Sequence, residues 1–534
     1  MTPTAARRLA AGAWRRVRDA LRGETAETYF DIHNPRELNP VLAAHGIAPP
    51  TDGNAECVKR VYELRPDLRE AYPFALTPHP DRRRYLEWLL VHGAKDYGIK
   101  PNEAVAWLFE QDAAPDRGLA TTYRLRPDWQ QAVPHALTPT GWPAFIQFLR
   151  ERYALHGRWL GRARLAPPPS EDSTAPGVNV VGHFRYASGL QEAAFGIVNG
   201  LRRAGFRTSL RDLPVIFPCD WRDRERYLGL EDYDTTVYVA AVNTFPAEWY
   251  PQAGLYMRTG VKRIAVWYWE LEELPAEWTD QLGWADEVWA PTRFIADCFR
   301  KYVSVPVVPM LPGVELPPFT RKPRSYFGLP DDRYTFLFSF DMASVMERKN
   351  PLGLIRAFRR AFRSDDNAHL VIKVSRGEKD PNSLARLRAA AGDGVTVIDE
   401  VMAREDALAL LDCADCYASL HRSEGFGLGM AESMLMGKPV IATGYSGNLD
   451  FMTPDVAHLV EYGRVPIVED LSPYPRGCHW AEPSVEHASE LMRRVYDHSD
   501  DARTLGAKGK AHVERVLAVE AAGRRMAERL RAAA

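Results

Sequence analysis

Glu424-Gly-Phe-Gly-Leu-Gly-Met-Ala-Glu432 runs almost directly into Gly437-Lys-Pro-Val-Ile-Ala-Thr443, and few folds accommodate that run. Glycines 425, 427 and 429 mark a turn, 430–436 reads as a helix, and 439–443 as a buried strand. A glycine-rich turn feeding a helix presents free backbone N–H groups at the positive end of the dipole, which suits an anionic phosphate. Gly425, Phe426, Gly427 and Leu428 are therefore candidates to cradle one. Glu424 and Glu432 stand eight residues apart, a little over two helical turns. From there Glu432 can reach neutral hydroxyls of the same ligand. The glycines alone would equally fit a turn that caps a core helix; the flanking carboxylates and the following strand favour a ligand.

Strands and helices alternate ahead of this stretch. Strands are expected at 178–182, 235–241, 263–268 and 287–290, with a helix at 191–203. After a break near the proline-rich 311–318, strands follow at 335–340, 369–374, 395–398 and 416–419, with helices at 351–363 and 404–413. This pattern predicts an α/β fold of two Rossmann-like, doubly wound parallel sheets. Ligands of such sheets bind in a cleft at the C-terminal edges of the strands. The expected boundaries are 177–317 for the first sheet domain and 318–512 for the second, with 513–534 as a C-terminal helix. Residues 1–166 read instead as an all-α region containing a duplication: 62–78 recurs as 123–139, offset by 61 residues. Both copies carry Arg-Pro-Asp, as turn and helix-start chemistry, and lead into an apolar-periodic helix. Tyr85, Trp88, Leu89 and His92 are expected on one face in the first, Phe145, Phe148 and Leu149 in the second. A duplicated helical unit suggests packing or recognition rather than catalysis. The proline-rich 167–176 is the expected linker.

Composition narrows the classes further. A chain of 534 residues exceeds what one core supports. A net charge of −2 gives no global field for nucleic acid. The six cysteines are scattered, and the pair Cys413-x-x-Cys416 has no second pair to complete a zinc site, which fits a reducing compartment. No apolar run reaches the roughly 18 residues needed to span a bilayer, so the expectation is a cytoplasmic protein. Arg7, Arg8, Arg15, Arg16, Arg18 and Arg22 alternate with Leu9, Trp14, Val17 and Leu21 at helical spacing. Such a helix either makes peripheral contact with the inner face of a membrane or packs its apolar side on the next domain; the second reading is the simpler.

Arg348-Lys349-Asn350-Pro351 follows a predicted strand and opens a helix. Two adjacent cations there can neutralise a diphosphate, or can simply be solvated. The spacing Glu424-x7-Glu432, followed by Met436-Gly-Lys-Pro-Val-Ile-Ala442, resembles the retaining nucleotide-sugar glycosyltransferases of family 4, which have the GT-B fold. Met436 stands where that family usually has alanine. Trp267-Tyr-Trp-Glu270-Leu and Gly189-Leu-Gln-Glu-Ala-Ala194 are similar to family motifs too, although Gln191 replaces a second glycine and Phe195 an arginine.

The resemblance, over about 177–512, implies transfer of a hexosyl unit from a nucleoside-diphosphate sugar, with retention and without a metal or other cofactor. It implies leaving-group stabilisation by Arg348 and Lys349, sugar contacts by Glu424, ribose contacts by Glu432 and phosphate approach at Gly189. Lys373, at a strand end, could add a further charge or be an ordinary strand-end lysine. Glu270 could orient the sugar or stabilise positive charge at its anomeric carbon, or belong to a solvated acidic turn. In the family the terminal helix crosses back to the first sheet domain. The implied acceptor is a glycan, lipid-linked or protein hydroxyl, by family habit in surface polysaccharide assembly. Rival readings are a non-catalytic glycan-binding scaffold on the same frame, a sugar-nucleotide epimerase or a phosphorylase; Glu-x7-Glu speaks against the last two.

Overall fold

The computed structural model describes residues 56–77, 80–97, 99, 115–153, 176–214 and 224–532. The basic segment at 1–24 and all but the last residue of the 167–176 linker lie outside the described residues. Two compact units emerge. One holds the described residues up to Ala187 with Ser209–Thr236 and Phe245–Val261, the other Ser188–Thr208, Val237–Thr244 and Lys262–Ala534.

In the first unit every regular element described up to Tyr153 is a helix. The two repeat copies fold alike, for reasons visible in their sequence. Arg65 and Arg126 are extended, at φ −113°, ψ 92° and φ −116°, ψ 94°, because the following proline disfavours helical geometry. Pro66 and Pro127 then start the helices Pro66–Ala71 and Pro127–Ala132, where a missing N–H costs nothing. Each arginine forks onto the aspartate two residues later, at 2.8 and 2.6 Å in the first copy and 2.8 and 2.7 Å in the second. Tyr62 and Tyr123 donate to the carbonyls of Tyr72 and Val133 at 3.0 and 2.8 Å.

The copies differ in cover. Arg126 is buried and donates to the Arg69 carbonyl, whereas Arg65 is only half-buried beside the Trp88 and Tyr97 rings. The expected apolar face of the first copy is only partly realised. Tyr85 and Leu89 are buried, but a π-helical turn at Leu89–Gly93 breaks the 3.6-residue period and His92 is exposed. In the second copy Phe145 and Leu149 are buried and Phe148 is half-buried.

Among the described residues, twelve of the strands form two six-stranded sheets. The first runs in the order β2-β1-β3-β4-β5-β6, with β1 Gly177–Gly182, β2 Arg207–Asp212, β3 Thr235–Ala241, β4 Lys262–Tyr268, β5 Glu287–Ala290 and β6 Val307–Pro309. The second runs β12-β11-β10-β7-β8-β9, with β7 Tyr334–Asp341, β8 Ala368–Ser375, β9 Val395–Asp399, β10 Cys416–Ser419, β11 Val440–Thr443 and β12 His458–Val460. Its strands are parallel throughout, Tyr417 of β10 lying opposite Leu337 of β7 and Val440 of β11. Chain order proceeds outward from β7 to β9 and resumes at β10 on the other side of β7. The β7–β10 neighbourhood is thus the topological switch point, where the C-terminal ends of the strands leave a crevice. An antiparallel pair, β13 Tyr462–Pro466 and β14 His479–Pro483, follows β12 and was not anticipated from the sequence.

The last helix, Val519–Ala532, packs on helix Gly189–Arg203 through glycines. A Cβ on Gly523 would lie 2.3 Å from the Gly200 carbonyl oxygen, and one on Gly200 would lie 2.4 Å from Met526 Cε. Arg529 adds a fork onto Glu287 at 2.7 and 3.1 Å. Gly523→Val should therefore cost about 2–3 kcal/mol by forcing the helices apart. A thermal unfolding midpoint equal to that of the parent protein would refute this packing.

Candidate functional site

Arg348 and Lys349 sit on a one-turn helix, Met346–Lys349, in the loop after β7. The backbone is left-handed on both sides of it, at Val345 (φ +63°) and Asn350 (φ +53°). Val345 is β-branched, so this conformation is strained and must be held by its surroundings. Asn350 does much of the holding. Its side-chain oxygen accepts from Gly353 N–H at 3.1 Å, capping helix Pro351–Ala361, and its amide donates to the Leu420 carbonyl at 2.9 Å.

The glycine-rich turn after β10 is packed to its limits. A Cβ on Gly425 would lie 2.9 Å from the Trp269 carbonyl, and one on Gly447 would lie 2.0 Å from the Gly425 carbonyl. Gly427 has φ +98° and precedes helix Leu428–Leu435, whose first turn has no side-chain cap. Thr292 Oγ1 donates to the Gly425 carbonyl at 3.0 Å, and Glu424 N–H to Ser446 Oγ at 2.8 Å. Phe426 is buried against Phe451, with ring centroids 5.1 Å apart. Phe426 thus anchors the turn through its ring, while backbone amides of the turn are what a ligand could use.

These two loops meet at the switch point. Arg348 donates to the Ser423 carbonyl at 2.9 Å and to Glu424 Oε2 at 3.2 Å; its other terminal nitrogen is 3.7 Å from Glu270 Oε1. Lys349 pairs with Glu424 Oε1. Tyr474, from the β13–β14 connection, donates to Glu270 Oε2 at 2.9 Å and sets its ring 5.7 Å from the Arg348 guanidinium carbon. Ser423 Oγ donates to the Glu270 carbonyl. Arg348 is only 2% exposed, so its charge is compensated by protein groups rather than water.

The electrostatics follow from burial and pairing. Burial would raise the Glu424 pKa, but Lys349 and Arg348 outweigh it and hold the carboxyl down at about 2. Lys349 is pushed below the usual lysine range by burial and then by Arg348 beside it. Burial drives the Tyr474 hydroxyl well above its ordinary value, so it remains a neutral donor to Glu270.

Residues 333–466, from just before β7 to the end of β13, match the family described as glycosyl transferases group 1. No curated protein matches the chain. Among solved structures, HepE of Anabaena, crystallised with UDP and glucose, superposes with a TM-score of 0.50 at 13% identity, over 67% of this chain and 100% of its own. The fold is GT-B. A glycosyltransferase of Rickettsia africae is also similar (TM-score 0.49, 13% identity, 67% and 98% coverage). So is sucrose-phosphate synthase of Thermosynechococcus elongatus (TM-score 0.46, 16% identity, 67% and 100% coverage).

Glu432 lies on the inward side of helix Leu428–Leu435 of this GT-B frame, almost buried. Its partner is Arg404, whose terminal nitrogen is also 3.3 Å from Glu192 of helix Gly189–Arg203. The buried Arg404 Nε has no hydrogen-bond acceptor. Burial raises the Glu192 pKa. Sequence reasoning named Glu432 but neither Arg404 nor Glu192. A signal existed: Arg404 opens helix Arg404–Cys413 without a side-chain cap, a cation at the positive end of a dipole, which local chemistry disfavours.

The other expected residues lie apart from the Arg348–Glu424 cluster or only border it. Gly189 begins its helix in exposed backbone, and a Cβ there would meet nothing within 4 Å, so no steric demand explains the glycine. Lys373 is buried in β8, bonds Ser375 Oγ, and has Glu400 and Asp399 as its charged neighbours. Burial lowers its pKa. Among the described residues no helix is long and apolar enough to cross a membrane.

Proposed function

We propose that the chain is a retaining, metal-independent hexosyltransferase that uses a nucleoside-diphosphate sugar and a glycan, lipid-linked or protein acceptor, in surface polysaccharide assembly. The observation that carries this reading is the buried Arg348–Lys349 pair closed on Glu424, beside the uncapped first turn of helix Leu428–Leu435. A diphosphate would compete with Glu424 for the two cations, and the displaced carboxylate is then available to sugar hydroxyls. Two fixed cations and the helix dipole supply the charge that a metal ion supplies in other transferases. As the C1–O bond to the diphosphate breaks, negative charge grows on the leaving oxygen within reach of these groups. The departing phosphate takes the proton of the acceptor hydroxyl on the same face, which gives retention without a separate base. Glu432 takes the ribose hydroxyls, with Arg404 orienting it.

HepE, with UDP and glucose bound, has the same fold, so UDP and UDP-hexoses are the first ligands to try. Calorimetry should show UDP binding that weakens at least about tenfold in Lys349→Ala and in Glu432→Ala, the loss of one charge-assisted contact. Unchanged UDP affinity in both variants would discard the site. NMR of the product should show the anomeric configuration of the donor; inversion would remove the retaining mechanism. Tight UDP binding with no hydrolysis of any UDP-hexose would favour the non-catalytic scaffold.

A further inference from the structure

A cavity of about 630 Å³ opens between helix Pro351–Ala361, helix Pro381–Ala390 and the β13–β14 pair. Its lining carries three arginines (356, 386, 422) and three glutamates (347, 469, 482). Arg386 donates to Glu347 at 2.9 Å, and Arg422 Nε donates to Glu482 at 2.6 Å. Leu352, Ile467 and Leu471 form apolar wall between these pairs. None of this belongs to the proposed donor site, although Glu347 and Arg422 are sequence neighbours of its residues.

We propose that this cavity binds a neutral oligosaccharide. The charge balance is the first argument. At the two ion pairs a phosphate or carboxylate ligand would have to displace Glu347 from Arg386 or Glu482 from Arg422, and a cation would have to displace an arginine, so net charge on the ligand is disfavoured there either way. The second is hydrogen-bond grammar. A guanidinium beside a carboxylate offers donors next to acceptors, and a vicinal diol, whose hydroxyls both donate and accept, matches that alternation. The third is shape: the volume lies in the range of small-ligand pockets, with room for about two or three sugar rings, and aliphatic wall suits their C–H faces.

Arg422 is held in place for this task. It stacks 5.3 Å from the Trp480 ring centroid, donates from its side chain to the Glu347 carbonyl at 2.7 Å, and donates from its backbone to the Arg348 carbonyl at 2.7 Å. A guanidinium so constrained loses little entropy when a ligand arrives. Met346, Glu347 and Asn350 also line the cavity, so a glycan here would touch the loop that carries Arg348 and Lys349. The site goes beyond the proposed transfer reaction and can fail or stand without it.

The test is a titration of the full chain by saturation-transfer NMR with neutral trisaccharides of glucose, galactose, mannose and N-acetylglucosamine, with citrate as the anionic control. Arg386→Ala changes an exposed side chain, so the variant should fold; matching circular dichroism checks this. The expected result is binding of at least one trisaccharide, weakened about tenfold by Arg386→Ala and unchanged by Lys349→Ala. Absence of binding by every trisaccharide overturns the proposal. So does undiminished binding in Arg386→Ala, equal loss in Lys349→Ala, or displacement of the sugar by citrate.

Discussion

Arg348→Ala should lower the unfolding free energy by about 3–5 kcal/mol, the usual cost of removing one partner from a buried charge cluster. The side chain reaches three acceptors on two loops: the Ser423 carbonyl, Glu424 and Glu270. Without it, Lys349 alone faces the Glu424 carboxylate, and Glu270 retains Tyr474. Glu424 is largely withdrawn from water and Glu270 partly so, and each has Arg348 among the groups that compensate it. The acid limb gives an independent readout. Glu424 has its folded pKa depressed to about 2, so it contributes stability that is full above its unfolded pKa and is lost as pH falls below that pKa toward 2. Arg348 is one of the two cations that depress it. In the variant the folded pKa should rise toward the ordinary carboxylate range, and the stability tied to Glu424 in mild acid should shrink. Arg348→Lys keeps the charge but not the fork, so its loss should be smaller. A denaturant midpoint for Arg348→Ala within 1 kcal/mol of the parent, by the usual extrapolation, would show that the cluster does not hold these loops together.

Which parts of this architecture the sequence disclosed depends on how each residue is buried. β7 and β8 are covered on both faces, so they read as apolar runs through Phe336–Phe340 and Leu370–Val374, each interrupted by one polar residue (Ser339, Lys373), and both were located to within a residue. Strands β6 and β12 are each three residues long, too short to leave a period. β2 hides differently: Arg211 and Asp212 are buried charges, and Asp212 is paired with Arg185 at 2.9 Å, so its core positions look like solvent positions. The β13–β14 pair escapes because β13 is mostly exposed, both strands end in proline, and a long connection separates them. That omission matters for the site, since Tyr474 lies in the connection.

The candidate site shows the same division. Glu424, Arg348 and Lys349 were legible because glycines and a proline fix the loops that carry them. Their mutual pairing was not, because it depends on β7 and β10 being neighbours across the switch point. Arg404 stands beyond reach of any local reading except its misfit with the helix dipole.

Lys349→Ala should reduce turnover of a UDP-hexose by about 10²–10³, the range found when one preorganised charge partner of a transition state is removed. The effect should exceed the loss in UDP affinity, because the charge on the leaving oxygen grows only as the glycosidic bond breaks. Lys349 is suited to this role by its surroundings: burial and the neighbouring Arg348 lower its pKa, so part of its charge is stabilised only when a new anion arrives. The same shift predicts pH dependence with a definite sign. Lys349 loses its proton at lower pH than an ordinary lysine, so kcat should fall on the alkaline side as the cation is neutralised. In Lys349→Ala that limb should be absent from whatever turnover remains, while the acid limb is unchanged. Rates of hydrolysis measured across pH for the parent and the variant decide the matter. Turnover in Lys349→Ala within threefold of the parent, or an alkaline limb that persists in it, would remove this lysine from the leaving-group chemistry.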